Sequence, residues 1–235
     1  MTQPRRRTVI LISGRGSNMT ALIEAADDSA FPAEIVGVIS DKAEAGGLQL
    51  AAAKGIATRV VSRGDFADKE AHDAAIDAEL AAFGAEIVCL AGYMRLLTPS
   101  FAERWQGRMI NIHPALLPSF KGLDTHERVL TAGVRIHGCT VHFVTPEMDA
   151  GPIIAQSAVP VLIGDDEAAL SARVLNAEHA LYPMALRLVA EGKVRMEGGK
   201  AVFDDFEAPD HHGLVTSPGP SSDPVDLEAL ARFTP

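Results

Sequence analysis

The sequence predicts an α/β fold with a mostly parallel central sheet that closes on a C-terminal hairpin, and three observations carry that expectation. Short apolar runs alternate with helical segments from residue 8 to residue 203. The run 86–91, Glu-Ile-Val-Cys-Leu-Ala, is nearly continuous in apolar character, as a strand covered on both faces of a parallel sheet must be. The first apolar run ends in Ser13-Gly14-Arg15-Gly16-Ser17-Asn18, a tight turn that leads straight into a helical segment.

Taken in order, 8–13 is a buried strand, 17–26 a helix, 35–40 the next strand, 48–53 a helix and 59–61 a short strand. Residues 68–83 form a long alanine-rich helix before the central strand 86–91. A short helix at 99–105 precedes the strand 109–112, and Pro114 and Pro118 make 113–122 an ordered loop. Helix 125–132 follows, then strands at 139–145 and 152–161. A long helix at 165–191 opens on Asp165, Asp166 and Glu167, the charge a helix N-terminus favours. Residues 194–203, centred on Gly198-Gly199, form a terminal hairpin. Three segments result: a basic extension at 1–7, one domain at 8–203, and a tail at 204–235 whose Pro, Asp, Ser and Gly content predicts mobility.

Bulk properties exclude several classes. A net charge of −10 and 5% aromatic residues disfavour a nucleic-acid partner, leaving small anionic ligands open. The apolar run after Arg5-Arg6-Arg7 is only about five residues long, too short for a signal peptide or a membrane span, so a cytoplasmic location without a membrane partner is expected. Cys89 and Cys139 sit in apolar segments with no metal or disulfide spacing and are expected to be core thiols.

Chemistry concentrates in three places. The glycine turn offers unpaired N–H groups at a helix start, where a phosphate is favoured. It lacks the third glycine of a dinucleotide fingerprint, since Met19 stands there, and the Lys-Ser/Thr ending of a nucleoside-triphosphate loop. A bare structural turn is the competing reading. Asn111 and His113, two apart at a strand end, project from one face, which suits an amide that stabilises an oxyanion beside an acid–base imidazole. A histidine satisfied by backbone groups is the alternative. Asp149, in the turn Thr145-Pro146-Glu147-Met148-Asp149-Ala150-Gly151-Pro152, would stabilise the imidazolium if it faced His113, and would otherwise be a solvated turn carboxylate. A metal is not expected, because His137 and His142 are five apart and on a regular strand point to opposite faces.

The glycine turn, the segment Asn111-Ile112-His113-Pro114-Ala115-Leu116-Leu117-Pro118, and the stretch from Val141-His142-Phe143-Val144-Thr145 to Asp149-Ala150-Gly151-Pro152 together resemble the glycinamide ribonucleotide formyltransferases in order and spacing. The likeness covers about 8–203 and includes Leu90-Ala91-Gly92-Tyr93-Met94-Arg95-Leu96-Leu97. It implies a Rossmann-like three-layer formyltransferase fold, a monomer or homodimer, and transfer of a formyl group from 10-formyltetrahydrofolate to the amine of glycinamide ribonucleotide, in purine biosynthesis and without a metal. By the same resemblance Asn111, His113 and Asp149 form the catalytic set, and Gly16, Ser17 and Asn18 cradle the ribonucleotide phosphate. Leu175, Asn176, Ala177 and Glu178 contact the glycinamide, with Glu178 at its amine. Met94, Arg95, Leu96 and Leu97 line the folate pocket with Asn111, and Thr145, Pro146, Glu147, Met148 and Asp149 close over the pterin. Lys69 stands where the family often has an arginine near the folate tail, keeping the charge without the bidentate geometry. Two related families, formyltetrahydrofolate hydrolases and methionyl-tRNA formyltransferases, carry an additional domain that this chain is not expected to have.

Overall fold

The computed structural model describes residues 4–204. Its elements follow one another as β1 (Arg6–Ile12), α1 (Ser17–Ala26), β2 (Ala33–Ser40), α2 (Gly46–Ala53), β3 (Thr58–Val60), α3 (Lys69–Ala82), β4 (Ile87–Leu90) and α4 (Pro99–Arg104), then β5 (Met109–His113), α5 (Thr125–Ala132), β6 (Ile136–Phe143), β7 (Ile153–Pro160), α6 (Glu167–Ala190), β8 (Val194–Glu197) and β9 (Lys200–Phe203). Seven strands form one sheet in the order β3-β2-β1-β4-β5-β6-β7, and β8 and β9 form a separate antiparallel hairpin. The pairs β3-β2, β2-β1, β1-β4 and β4-β5 are parallel, whereas β5-β6 and β6-β7 are antiparallel. The expected mostly parallel α/β sheet with a terminal hairpin is the one observed.

Strand alternation distributes the apolar side chains to two layers. Ile10, Ile12, Ile87, Cys89, Ile110 and Ile112 point into a core shared with α1, α2, α5 and α6. Val9, Leu11, Val88, Leu90 and Met109 point into a second core built with Ile76 and Leu80 of α3 and Phe101 of α4. Val9 to Ile12 are all 0% exposed, and burying each such side chain contributes about 1.5–3 kcal/mol. Helix starts follow the acidic caps: Asp68 and Asp166 accept from the N–H groups of Ala71 and Ala169, so α3 and α6 begin one or two residues inside their predicted limits.

Boundaries differ from the sequence expectation where polar residues join the ladder. β1 starts at Arg6, because the backbone N–H of Arg7 and the side chain of Arg6 engage Glu86. Arg5 of the basic extension is also tied down: its guanidinium donates to the carbonyls of Ala26, at the C-terminal end of α1, and of Phe31 and Ala33. β6 begins at Ile136, three residues before the apolar run predicts, because His137 and Gly138 pair with β7. His113 belongs to β5, since it pairs with Thr140. The residues after 204 lie outside those described. No helix among the described residues is long and apolar enough to cross a membrane.

Candidate active site

The sheet order reverses at β1-β4, and the loops leaving the carboxyl ends of these strands are where an open α/β sheet places a ligand. After β1, Gly16 adopts φ 78 at the N-cap of α1, with no side chain capping the helix. An uncapped helix start of this kind suits an anion. A Cβ on Gly16 would come within 2.9 Å of the Gly47 Cα, so the turn requires glycine both for its left-handed backbone and for that close approach. From α1, Asn18 Nδ2 donates to Glu178 Oε2 of α6 at 2.7 Å, and the Asn18 Oδ1 is buried without a partner. Burial raises the Glu178 pKa, and the Asn18 hydrogen bond partly offsets that.

On β5 the side-chain parity that sends Met109 into the second core carries Asn111 and His113 onto that same face at the strand's end. Pairing with β6 brings His142 opposite Asn111. The His142 Nδ1 lies 2.9 Å from the Phe143 carbonyl and must donate there, so in the neutral ring Nε2 accepts from Asn111 Nδ2 at 3.1 Å. Burial lowers the His142 pKa, which favours that neutral form. One amide hydrogen of Asn111 is thereby used and the other remains for a ligand oxygen.

Asp149 joins these groups. Its Oδ2 lies 3.5 Å from His113 Nδ1 and accepts from Gly122 N at 2.9 Å, while Oδ1 lies 3.8 Å from His142 Nε2. The His113 Nε2 is 2.9 Å from the Phe120 carbonyl. Both ring nitrogens of His113 thus face acceptors, an arrangement that suits the imidazolium. Asp149 holds φ 50, and Gly151 lets the turn press onto β6: a Cβ there would sit 1.7 Å from the Phe143 carbonyl oxygen. His137 faces elsewhere, 3.3 Å from His126 of α5, with a pKa lowered to about 4 by burial and by the His126 and His113 charges. Among the described residues no group of His, Cys, Asp and Glu is arranged to hold a metal ion.

The loop after β4 forms a third wall. Met94 N donates to Ser13 Oγ, tying this loop to the glycine turn. Met94 and Leu96 are 65% and 63% exposed, and Leu123 and Met148 on neighbouring loops are also open to solvent. Such apolar surface at the mouth of a site suits an aromatic ligand. Two cations border it: Lys69 Nζ reaches the Leu97 carbonyl at 3.3 Å, and Arg95 Nε pairs at 2.7 Å with the fully buried carboxylate of Asp41. Thr145 Oγ1 donates to the Glu147 carbonyl, and Glu147 pairs with Lys121, so the loop from Thr145 through Pro146 to Asp149 meets the loop that follows β5. Of the four α6 residues singled out, Glu178 alone bonds the glycine turn; Ala177 packs on the core, Leu175 is half-buried and Asn176 is exposed. Sequence reasoning missed His142 and Asp41 as site residues. His142 carried a signal only through its motif, and Asp41 carried none.

An uncapped glycine turn after β1 and a cluster of Asn111, His113, His142 and Asp149 at the end of β5 thus lie on the side of an α/β sheet where its parallel strands end. Residues 6–186 match the family described as formyl transferase, and the chain belongs to that family. It is 42% identical to the phosphoribosylglycinamide formyltransferase of Escherichia coli K12 over 201 residues, 86% of this chain and 95% of that protein. It is 52% identical over 200 residues to the trifunctional purine biosynthetic protein adenosine-3 of Bos taurus, covering 84% of this chain but spanning 20% of that relative's length. A crystal structure of phosphoribosylglycinamide formyltransferase from Brucella melitensis superposes with TM-score 0.77 at 61% identity, over 79% of this chain and 96% of that one.

Proposed function

We propose that the chain transfers the formyl group of 10-formyltetrahydrofolate to the amine of N1-(5-phosphoribosyl)glycinamide, giving the N-formyl product and tetrahydrofolate in de novo purine biosynthesis. The observation that carries this reading is the single carboxylate of Asp149 within 3.5 Å of His113 and 3.8 Å of His142, beside the uncapped helix start at Gly16. The phosphate sits on the Gly16, Ser17 and Asn18 turn, and Glu178 holds the amine end. The neutral amine attacks the formyl carbon and the carbonyl π pair moves to oxygen, where Asn111 Nδ2–H donates to it and the positive charge of the His113 imidazolium, whose two N–H groups face Asp149 and the Phe120 carbonyl, stabilises it. A proton passes from the attacking nitrogen, through water, to the folate N10. The C–N10 bond then breaks as the carbonyl re-forms. The pterin lies against Met94, Arg95, Leu96 and Leu97 beneath the Thr145–Asp149 turn, and Lys69 faces the anionic tail.

Consumption of 10-formyltetrahydrofolate measured with and without glycinamide ribonucleotide tests the function. Amine-dependent turnover is expected; amine-independent turnover would make the chain a hydrolase, and binding without turnover a non-catalytic module. His113→Asn is expected to lower kcat by about 10²- to 10⁴-fold, and near-normal turnover would remove His113 from the chemistry.

A further inference from the structure

We propose that Arg128, an exposed arginine of α5, is a positioning residue for His113, holding the Phe120 carbonyl where it accepts from the imidazole Nε2. The inference rests on the reading of His113 as the imidazolium that stabilises the formyl oxygen.

The carbonyl belongs to a loop that is held very differently at its two ends. Near β5 the loop is fastened from within the protein: Leu117 N donates to the buried Thr140 Oγ1 at 3.0 Å, Thr140 Oγ1 donates to the Ala115 carbonyl at 2.6 Å, and Gln156 Nε2 donates to the Leu117 carbonyl at 2.9 Å. The far half contains Phe120 and Asp124, both at φ 55, a left-handed backbone that costs a non-glycine residue of order 1 kcal/mol or more. Something must hold these residues there.

The Phe120 ring packs on the core and edge-on to His137, and three further contacts hold the segment that follows it. Gly122 N donates to Asp149 Oδ2. Lys121 pairs with Glu147, but that glutamate side chain is 78% exposed, and such pairs contribute little. The third is Arg128, whose Nη1 donates to the Lys121 carbonyl at 2.6 Å and to the Leu123 carbonyl at 3.2 Å, while its Cζ lies 5.6 Å from the centroid of the Phe120 ring. One guanidinium therefore grips the carbonyls on both sides of Gly122 and covers the ring of the residue whose own carbonyl faces His113. Hydrogen bonds from an ionised donor are about twice as strong as neutral ones, and here both leave one nitrogen, Nη1, while the guanidinium plane lies against the Phe120 ring. The anchor is rigid, because the next residue, Val129, is 0% exposed in the core. An arginine used only for solubility would make none of these contacts.

Loss of the grip leaves His113 with Asp149 on one nitrogen and a displaced acceptor on the other, so the ring turns away from the formyl oxygen without any change at the phosphate turn. In the full-length protein, Arg128→Ala is expected to lower kcat about 10-fold while KM for glycinamide ribonucleotide stays within about twofold, since a displacement of the order of 1 Å at a catalytic group is sufficient for such a loss. The His113 Nε2–H proton signal, observed by NMR with labelled histidine, should broaden or move, and the thermal midpoint should fall by only a few degrees. Arg128→Lys keeps the charge but loses the guanidinium that covers the Phe120 ring, and is expected to remain well below the parent protein. Unchanged kcat in Arg128→Ala, full recovery by Arg128→Lys, or an unmoved Nε2–H signal would each overturn the positioning role. His113→Asn, run in parallel, separates the two levels: if it retains turnover the reading of His113 itself fails. If it is inactive while Arg128→Ala is normal, only the positioning role fails.

Discussion

The two ends of the cleft are built by different means. At the Gly16 end, the proposed phosphate site is a consecutive stretch of chain: β1 stops, Gly16 turns, and α1 starts without a cap, so local sequence and backbone geometry create it together. At the acid–base end, nothing local suffices. Asn111 is oriented by His142, 31 residues away, and His113 faces Asp149, 36 residues along, because β6 runs antiparallel to β5 and the turn after β6 folds back over it. In the proposed function the first end supplies binding and the second supplies chemistry. Substitutions at the first should act on KM for the ribonucleotide, and those at the second on kcat.

Asp149→Asn is the sharpest way to break that division. Asparagine tolerates the left-handed φ of 50 and keeps an acceptor for Gly122 N, so the loop should hold while the charge is lost. A fall in kcat of about 100-fold is expected, within the range for positioned acid–base groups. A kcat close to that of the parent, with KM alone altered, would place Asp149 with the binding groups and collapse the comparison.

Glu178→Gln probes the other end. The amide retains size and still pairs with Asn18, but the charge that holds the amine is gone. Hydrogen bonds to charged groups contribute about 1.5–3 kcal/mol, so KM for glycinamide ribonucleotide should rise roughly 10- to 100-fold with the folate KM unchanged. Burial raises the Glu178 pKa, so its carboxylate takes up a proton at higher pH than an ordinary glutamate does. As pH falls the parent's KM for the amine should therefore rise earlier than carboxylate titration normally dictates, and in Glu178→Gln that rise should vanish. A KM indifferent to both the substitution and pH would remove Glu178 from the amine site.

The same contrast explains what was legible in the sequence. Strand and helix order followed from periodicity, since the central strands carry apolar runs of their own and α3 and α6 each open on an acidic cap. The glycine turn was visible because its chemistry is local. Asn111 and His113 were paired correctly because a separation of two on a strand fixes a shared face. His142 was not assigned a role, because its partner depends on strand register, which periodicity does not encode. Arg128 and Asp41 were invisible for a related reason: an arginine on a helix surface and an aspartate after a strand are ordinary until a distant loop is folded against them.

The folate tail gives the smallest expected effect and tests whether a third, weaker kind of construction exists at the cleft mouth. Lys69 opens α3 and its Nζ touches the Leu97 carbonyl, so the cation is held beside the exposed apolar strip of Met94 and Leu96 while staying close to water. Solvent screening limits what such a charge contributes, commonly to about 1 kcal/mol or less. Lys69→Ala should therefore raise the folate KM by no more than about fivefold, with kcat and the ribonucleotide KM unaffected, and the difference should shrink as salt is raised. Lys69→Arg supplies the two-pronged donor that a carboxylate prefers, and is expected to lower the folate KM modestly. Equal folate KM values for the three proteins at low salt would show that Lys69 only caps the Leu97 carbonyl, leaving Arg95, braced by Asp41, as the cation that meets the anionic tail.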